Sequence, residues 1–327
     1  MPVYFGQPKT VSHHNATTVA EATSLLRAAQ GEAIVIAGGT DLVHRIKKGV
    51  TQPSALVNIK TIPGLDGIGE DTDGLVIGAL SVLRDIETSP LIQEKYPILA
   101  EAAASVAAPQ LRNMATLGGN LCQEVWCWYY RRSPVTGRTF DCRRKGGTLC
   151  YAVKGQNSQH AIIGPGSCRG AFPSDMAPAL IALSASVDIT SPAGSRKVAL
   201  GDFYTDTGNG LLPDEIITAV RVPSPKTGTL QRFLKFRLRK TLDFAISSVA
   251  AAVCIEDGVV KDARLIFGGI APTPYRAQDA EDYLKGKPIT EEVVSAAAAL
   301  LKDASPLSGN AYKIPITKTL MKRALLE

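Results

Sequence analysis

No stretch of the chain approaches the ~20 consecutive apolar residues needed to cross a bilayer. Its first residues, MPVYFGQPKT, hold no basic segment leading into an apolar one, so the pattern of a secretory leader is missing. The expectation is a cytoplasmic chain without a membrane span, or one exported folded beside a signal-bearing partner. No Ser/His/Asp order and no nucleophile elbow is visible. Histidine is scarce, and His13, His14 and His44 form no metal or triad pattern. The net charge of +6 is mild and spread over most of the chain, so nothing in it calls for nucleic acid. Internal repeats and low-complexity segments are absent. The six cysteines contain no CxxC pair, which removes the spacing of zinc fingers, ribbons and ferredoxins. Six cysteines in a large chain without a leader still argue for metal or redox use over a disulfide scaffold.

What is present fits a soluble α+β protein of two domains, for which 327 residues suffice. Residues 18–30 read as an amphipathic helix with a Thr18/Glu21 capping box and Gly31 as its stop. An apolar run at 33–37 reads as a buried strand and enters Gly38-Gly39-Thr40-Asp41 and a helical turn. Strand, glycine pair, hydroxyl and helix start make an anion nest, because glycines let main-chain N–H groups approach phosphate oxygens closely. The turn is neither GxGxxG nor GK[ST], so it indicates no Rossmann or NTPase site. Taken alone it is equally well a tight turn without a ligand.

Residues 55–60 and 74–79 read as two strands joined by a polar turn, and 92–108 as a helix broken at Pro97. A second glycine pair, Gly118-Gly119, lies between Thr116 and Asn120. Two such turns favour a phosphate-bearing cofactor more than either does alone. Further on, 176–190 reads as helix then strand. A boundary falls near 222–227, followed by three strand-like stretches, the middle one with a helical start as an alternative. Two helices and a short final helix complete the chain.

Five of the six cysteines lie in 111–175: Cys122, Cys127, Cys142, Cys150 and Cys168. The last four are spaced by 15, 8 and 18 residues. The segment is rich in Gly, Arg and aromatics and poor in helix formers, so something other than a core of its own must order it. Thiolates bound to iron would do so. Arg131, Arg132, Arg138, Arg143, Arg144 and Lys145 face only Asp141 in this region. They would stabilise a reduced anionic cluster, or else form a solvated loop or a docking face. Cys254 reads as a buried small hydrophobe. His160 reads as a structural histidine, with a ligand role or a bond to the flavin region as alternatives.

Five motifs fall in a known order: IAGGTDL at 36–42, IGAL at 77–80, RNMATLGGN at 112–120, SDMAPALIAL at 174–183 and FGGIAPTP at 267–274. Together they resemble the FAD-binding (medium) subunit of the xanthine dehydrogenase family of molybdenum hydroxylases, over essentially the whole chain. The resemblance implies a two-lobed FAD-binding domain of the vanillyl-alcohol oxidase/PCMH type at 1–222 and a smaller C-terminal sheet-and-helices domain at 223–327. It implies FAD contacts from Ile36, Ala37, Gly38, Gly39, Thr40, Asp41 and Leu42, from Thr116, Gly118, Gly119 and Asn120, and from Asp175 and Lys235. The cysteine-rich excursion, 121–170, departs from most medium subunits. It looks like the branch carrying an extra 4Fe–4S cluster, which includes 4-hydroxybenzoyl-CoA reductase and certain bacterial aldehyde oxidoreductases. On that likeness Cys127, Cys142, Cys150 and Cys168 are the ligands and Cys122 is spare.

The implied function is an electron-transfer flavoprotein subunit of a heterotrimer. A large subunit would bind molybdopterin, a small one two 2Fe–2S clusters, and this chain would relay electrons to or from an external partner. No catalytic residue for the organic substrate is expected here. Two other classes are a stand-alone FAD oxidase and a non-enzymatic scaffold stabilised by zinc.

Overall fold

The computed structural model describes residues 10–131, 140–164, 166, 168–205 and 208–327. Three packed regions follow one another along the chain. The first is a three-stranded parallel sheet in the order Ser12–Asn15, Ala55–Asn58, Ala33–Ile36. The helix Val19–Ala28 lies on it, burying Ala22 and Leu26 against Val57 and Ile59. Thr18 caps this helix through the Glu21 amide, whereas the Glu21 carboxylate reaches one residue further back, to Thr17, than a simple capping box requires.

The second region is a five-stranded antiparallel sheet, ordered Ile68–Glu70, Gly74–Gly78, Ile216–Pro223, Ser186–Ser191, Gly194–Ala199. A short strand, Ile68–Glu70, thus occupies the stretch expected to be only a polar turn. Helices Leu83–Thr88, Pro90–Lys95, Pro97–Ser105 and Met176–Ala182 cover the sheet. The break before Pro97 is where the sequence places it: proline opens the next helix and cannot continue the last one.

The third region is a four-stranded antiparallel sheet, Thr229–Phe236, Ser247–Glu256, Val259–Gly268, Tyr275–Arg276. Ser247–Glu256 is strand throughout, so its alternative reading as a helical start is corrected. Its small residues, Ala250 to Ala252, suit a central strand buried on both faces. Ala250, Ala252 and Ile266 join the core of the second region. Val249, Ala251, Val253 and Leu265 face helices Gln278–Leu284, Glu291–Ala299 and Lys313–Leu326. The final helix, expected to be short, has 14 residues. No described helix is long and apolar enough to cross a membrane.

Candidate functional site

Strand Ala33–Ile36 delivers the chain into the first glycine turn. Gly39 sits at φ +70°, a left-handed conformation that costs glycine nothing. A Cβ on Gly38 would lie 1.8 Å from the Met114 carbonyl oxygen, so the first turn backs directly onto the segment entering the second. The second pair does not sit in a loop. It forms the first turn of a short helix, Leu117–Leu121, capped by Thr116 Oγ1, which accepts from the Gly119 amide at 3.2 Å. That turn is tied to the second sheet by the Gly118 amide on the Ala79 carbonyl.

Between the turns opens a cleft of about 890 Å³. It is lined by Ala37, Gly38, Gly39, Thr40, Asp41 and Leu42, by Thr116, Gly118, Gly119 and Asn120, and by Asp175 and Lys235. Twelve of the thirteen expected cofactor residues therefore meet in one place, though they come from four parts of the chain. The thirteenth, Ile36, does not line the cleft; its side chain packs beneath the turn, beside Gly39. The amides of Gly38, Gly39 and Thr40 donate to no partner among the described residues. A cleft of this size with unpaired main-chain donors on its floor fits a dinucleotide with a pyrophosphate.

At the other wall, Lys235 Nζ lies 2.6 Å from Asp175 Oδ2, and both side chains are almost fully buried. Burial pushes the Asp175 carboxyl above its ordinary pKa, against the opposing pull of Lys235. Lys235 also donates to the Ser105 carbonyl. Ser174, beside Asp175, donates to Asn120 Oδ1 at 2.6 Å and so locks the two motifs together. Trp126 and Phe244, with ring centroids 4.7 Å apart, also line the cleft. No motif marks either residue in the sequence.

Cys127, the first of the four expected ligands, directly follows Trp126. Cys127 and Cys142 are buried, and Cys150 and Cys168 half-buried. Burial pushes the Cys127 thiol up to about 12, and the nearby thiols of Cys168 and Cys142 add to the shift. Burial also raises Cys168, with Cys150 adding and the Gly170 amide and Arg144 opposing. The four expected ligands are thus electrostatic neighbours. Cys122 stands apart, with Glu124 and Tyr204 beside it and its thiol also pushed up to about 12 by burial. Cys254 lies buried in the third sheet. All six cysteines are free, and among the described residues no three His, Cys, Asp or Glu side chains stand as a ready site for a metal ion.

Contrary to expectation, the segment has a small core of its own. Tyr129, Phe140 and Tyr151 pack in mutual ring contact at 5.0 to 6.2 Å. His160 lies edge-on to Trp128 at 4.9 Å, its Nε2 3.2 Å from Cys127 Sγ. Burial holds its imidazole down to about 4, so the ring is neutral. The basic residues have separate tasks. Arg131 Nη1 binds Asp41 Oδ1 of the first glycine turn at 2.6 Å, with 6% of its side chain exposed. Arg144 pairs with Glu124 at 2.8 Å and stands next to Cys168. Arg143 donates to the Thr148 carbonyl, and Lys145 lies over the Tyr130 ring. Arg132 and Arg138 lie outside the described residues.

A two-lobed cleft floored by glycine turns, with an αβ domain behind it, defines a flavin-binding subunit of the PCMH type. Residues 9–225 match the FAD-binding domain of molybdopterin dehydrogenases, and residues 232–327 match the C-terminal domain of CO dehydrogenase flavoproteins. The chain belongs to the FAD-binding medium subunits of the xanthine dehydrogenase family of molybdenum hydroxylases, and is an oxidoreductase subunit. It is 33% identical to the aldehyde oxidoreductase FAD-binding subunit PaoB of Escherichia coli K12, covering 98% of each chain. It is 31% identical to the carbon monoxide dehydrogenase medium chain of Hydrogenophaga pseudoflava, covering 97% of this chain and 96% of that one. A solved structure of carbon monoxide dehydrogenase from that organism superposes with a TM-score of 0.78 at 30% identity, over 98% and 97% of the two chains.

Proposed function

We propose that this chain is the electron-transfer subunit of a heterotrimeric molybdenum hydroxylase of the aldehyde oxidoreductase or hydroxybenzoyl-CoA reductase kind. It holds FAD in the cleft and a 4Fe–4S cluster on Cys127, Cys142, Cys150 and Cys168. A molybdopterin-binding large subunit and a 2Fe–2S small subunit are its partners, and an external acceptor or donor completes the chain of carriers. The domains divide at 222/223, with 121–170 as the iron–sulfur excursion of the first. The single observation that carries the reading is spatial. Arg131 ties the segment that carries the four cysteines to the first glycine turn, and Trp126, the residue before Cys127, lines the cleft.

When bound, FAD exchanges electron pairs with an external partner and single electrons with metal clusters. The residues supply position and electrostatics. Gly38, Gly39 and Thr40, whose amides have no partner among the described residues, would hold the pyrophosphate, and Gly119 and Asn120 would line it from the second turn. Asp41 shares its carboxylate with Arg131, so the floor of the flavin site and the start of the cysteine segment are one rigid unit. Arg144 gives the sulfur of Cys168 a compensating charge.

Anaerobic purification followed by flavin, iron and sulfide analysis, with EPR after reduction, tests both halves. The expected result is a yellow protein with iron and sulfide in equal amounts. Cys127→Ser should lose the iron and keep FAD, and Cys122→Ser should keep both. Iron-free protein sinks the cluster, colourless protein sinks the flavin assignment, and zinc in place of iron favours a structural scaffold.

A further inference from the structure

The charged side chains that line the flavin cleft are paired, with one exception. Arg131 and Lys235 are neutralised by Asp41 and Asp175, each at 2.6 Å. The remaining carboxylates of the cleft, Glu124, Glu215 and Asp243, are each bound by an arginine that does not line it. His44 adds little charge near neutrality, because burial, helped by Lys48 and Arg131, holds its imidazole below the ordinary value. The exception is Arg45, which lines the cleft and has no ion-pair partner among the described residues.

The local sequence would predict otherwise. Arg45 lies in the helix Leu42–Lys47, one turn beyond Asp41, the spacing at which acid and base pair along a helix. The tertiary fold gives that acid to Arg131 instead. Glu124 stands near the Tyr130 phenol, as Arg45 does, but its carboxylate accepts from Arg144 Nε and Nη2. Arg45 Nε is buried and has no acceptor among the described residues. Buried donors nearly always have a partner, and a charged one without it is costly. Among its described side chains the cleft thus carries one uncompensated positive charge, and it suits an anionic ligand.

We infer that Arg45 is the side-chain anchor of the FAD pyrophosphate, donating from its guanidinium to a phosphate oxygen. The inference rests on FAD occupying the cleft. Main-chain amides offer a phosphate directed but only partial charges, whereas a guanidinium adds a full countercharge and a planar pair of donors. The division of labour follows from the pairing: Arg131 is spent on holding Asp41, and Arg45 is left for the ligand.

The experiment strips flavin from the purified complex and titrates FAD back at low and high salt, following flavin fluorescence. Arg45→Met keeps the length of the side chain and removes its charge. Its Kd for FAD should rise about tenfold to a hundredfold, the range for losing a hydrogen bond to a charged group. The native Kd should weaken with salt more steeply than that of the variant, because salt screens the ion pair the variant lacks. Arg45→Lys keeps the charge without the planar fork, and should recover part of the affinity and the salt dependence. An unchanged Kd in Arg45→Met overturns the inference. So does a weakened Kd with native salt dependence and no recovery in Arg45→Lys, since Arg45 would then be a structural support. If Arg45→Met does not assemble, Arg45→Gln decides, and native affinity with native salt dependence there overturns the inference. Native complex that takes up no FAD is a separate failure: it removes the flavin reading itself, and this inference with it.

Discussion

In the cleft the first glycine turn leaves the amides of Gly38, Gly39 and Thr40 without a partner among the described residues, and it backs onto the segment entering the second turn. The cysteine segment instead is side chains hung on short turns and a four-residue helix, Trp128–Arg131. The cleft is rigid because its floor belongs to two sheets, each with its own core. The segment borrows its order from a cluster of rings, from Arg131 on Asp41, and from bonds to the loop at 307–313. Asn157, for example, donates to Ala152, Gly155 and Ser308 and accepts from the Gly309 amide. The contrast is between a cleft built on the backbone of two sheets and a side-chain cluster held in place by its neighbours.

The comparison breaks if damage to one region passes equally to the other. Gly38→Val has the largest expected effect. Its Cβ would overlap the Met114 carbonyl, which is backbone and cannot move aside, so the two turns must separate. FAD content measured after desalting should fall more than tenfold, with a drop in the melting temperature. Full flavin content would show that the turns do not need their contact. Arg131→Met is the intermediate case. It leaves Asp41 without its buried partner and costs about 3 kcal/mol, the low end for breaking such a pair because Asp41 keeps some exposure. Both flavin retention and cysteine-segment order should suffer. A loss confined to one of them, read by flavin content and amide hydrogen exchange, would mean the regions are not joined here. Asn157→Ala should be smallest, about 1–3 kcal/mol for the bonds it leaves unmade. Faster exchange across 150–164 with unchanged flavin is expected; slower flavin retention would blur the distinction drawn above.

The two regions were unequally legible in the sequence. The glycine turns announce themselves, because close backbone approach and positive φ demand glycine at fixed positions. Gly38 and Gly118 nevertheless serve packing against Met114 and Ala79 as much as any ligand. Ile36 is the instructive exception: it belongs to the same motif but turns its side chain under the nest. The aromatic core of the cysteine segment was not legible, since Tyr129, Phe140 and Tyr151 have no common period and meet only after the chain has folded back. Trp126 and Phe244 escaped for the same reason.

The sequence by itself determined the order of strands and helices, the two glycine turns and the number of available thiols, because local backbone preference and apolar periodicity act over a few residues. Only the tertiary structure decided that Arg131 ties to the first glycine turn and that Arg144 stands next to Cys168. It also decided which nitrogen of His160 meets Cys127. Those are contacts between residues 24 to 90 positions apart, of which Arg131 on Asp41 spans the most. Their geometry is set by how three separate cores pack, which no local pattern encodes.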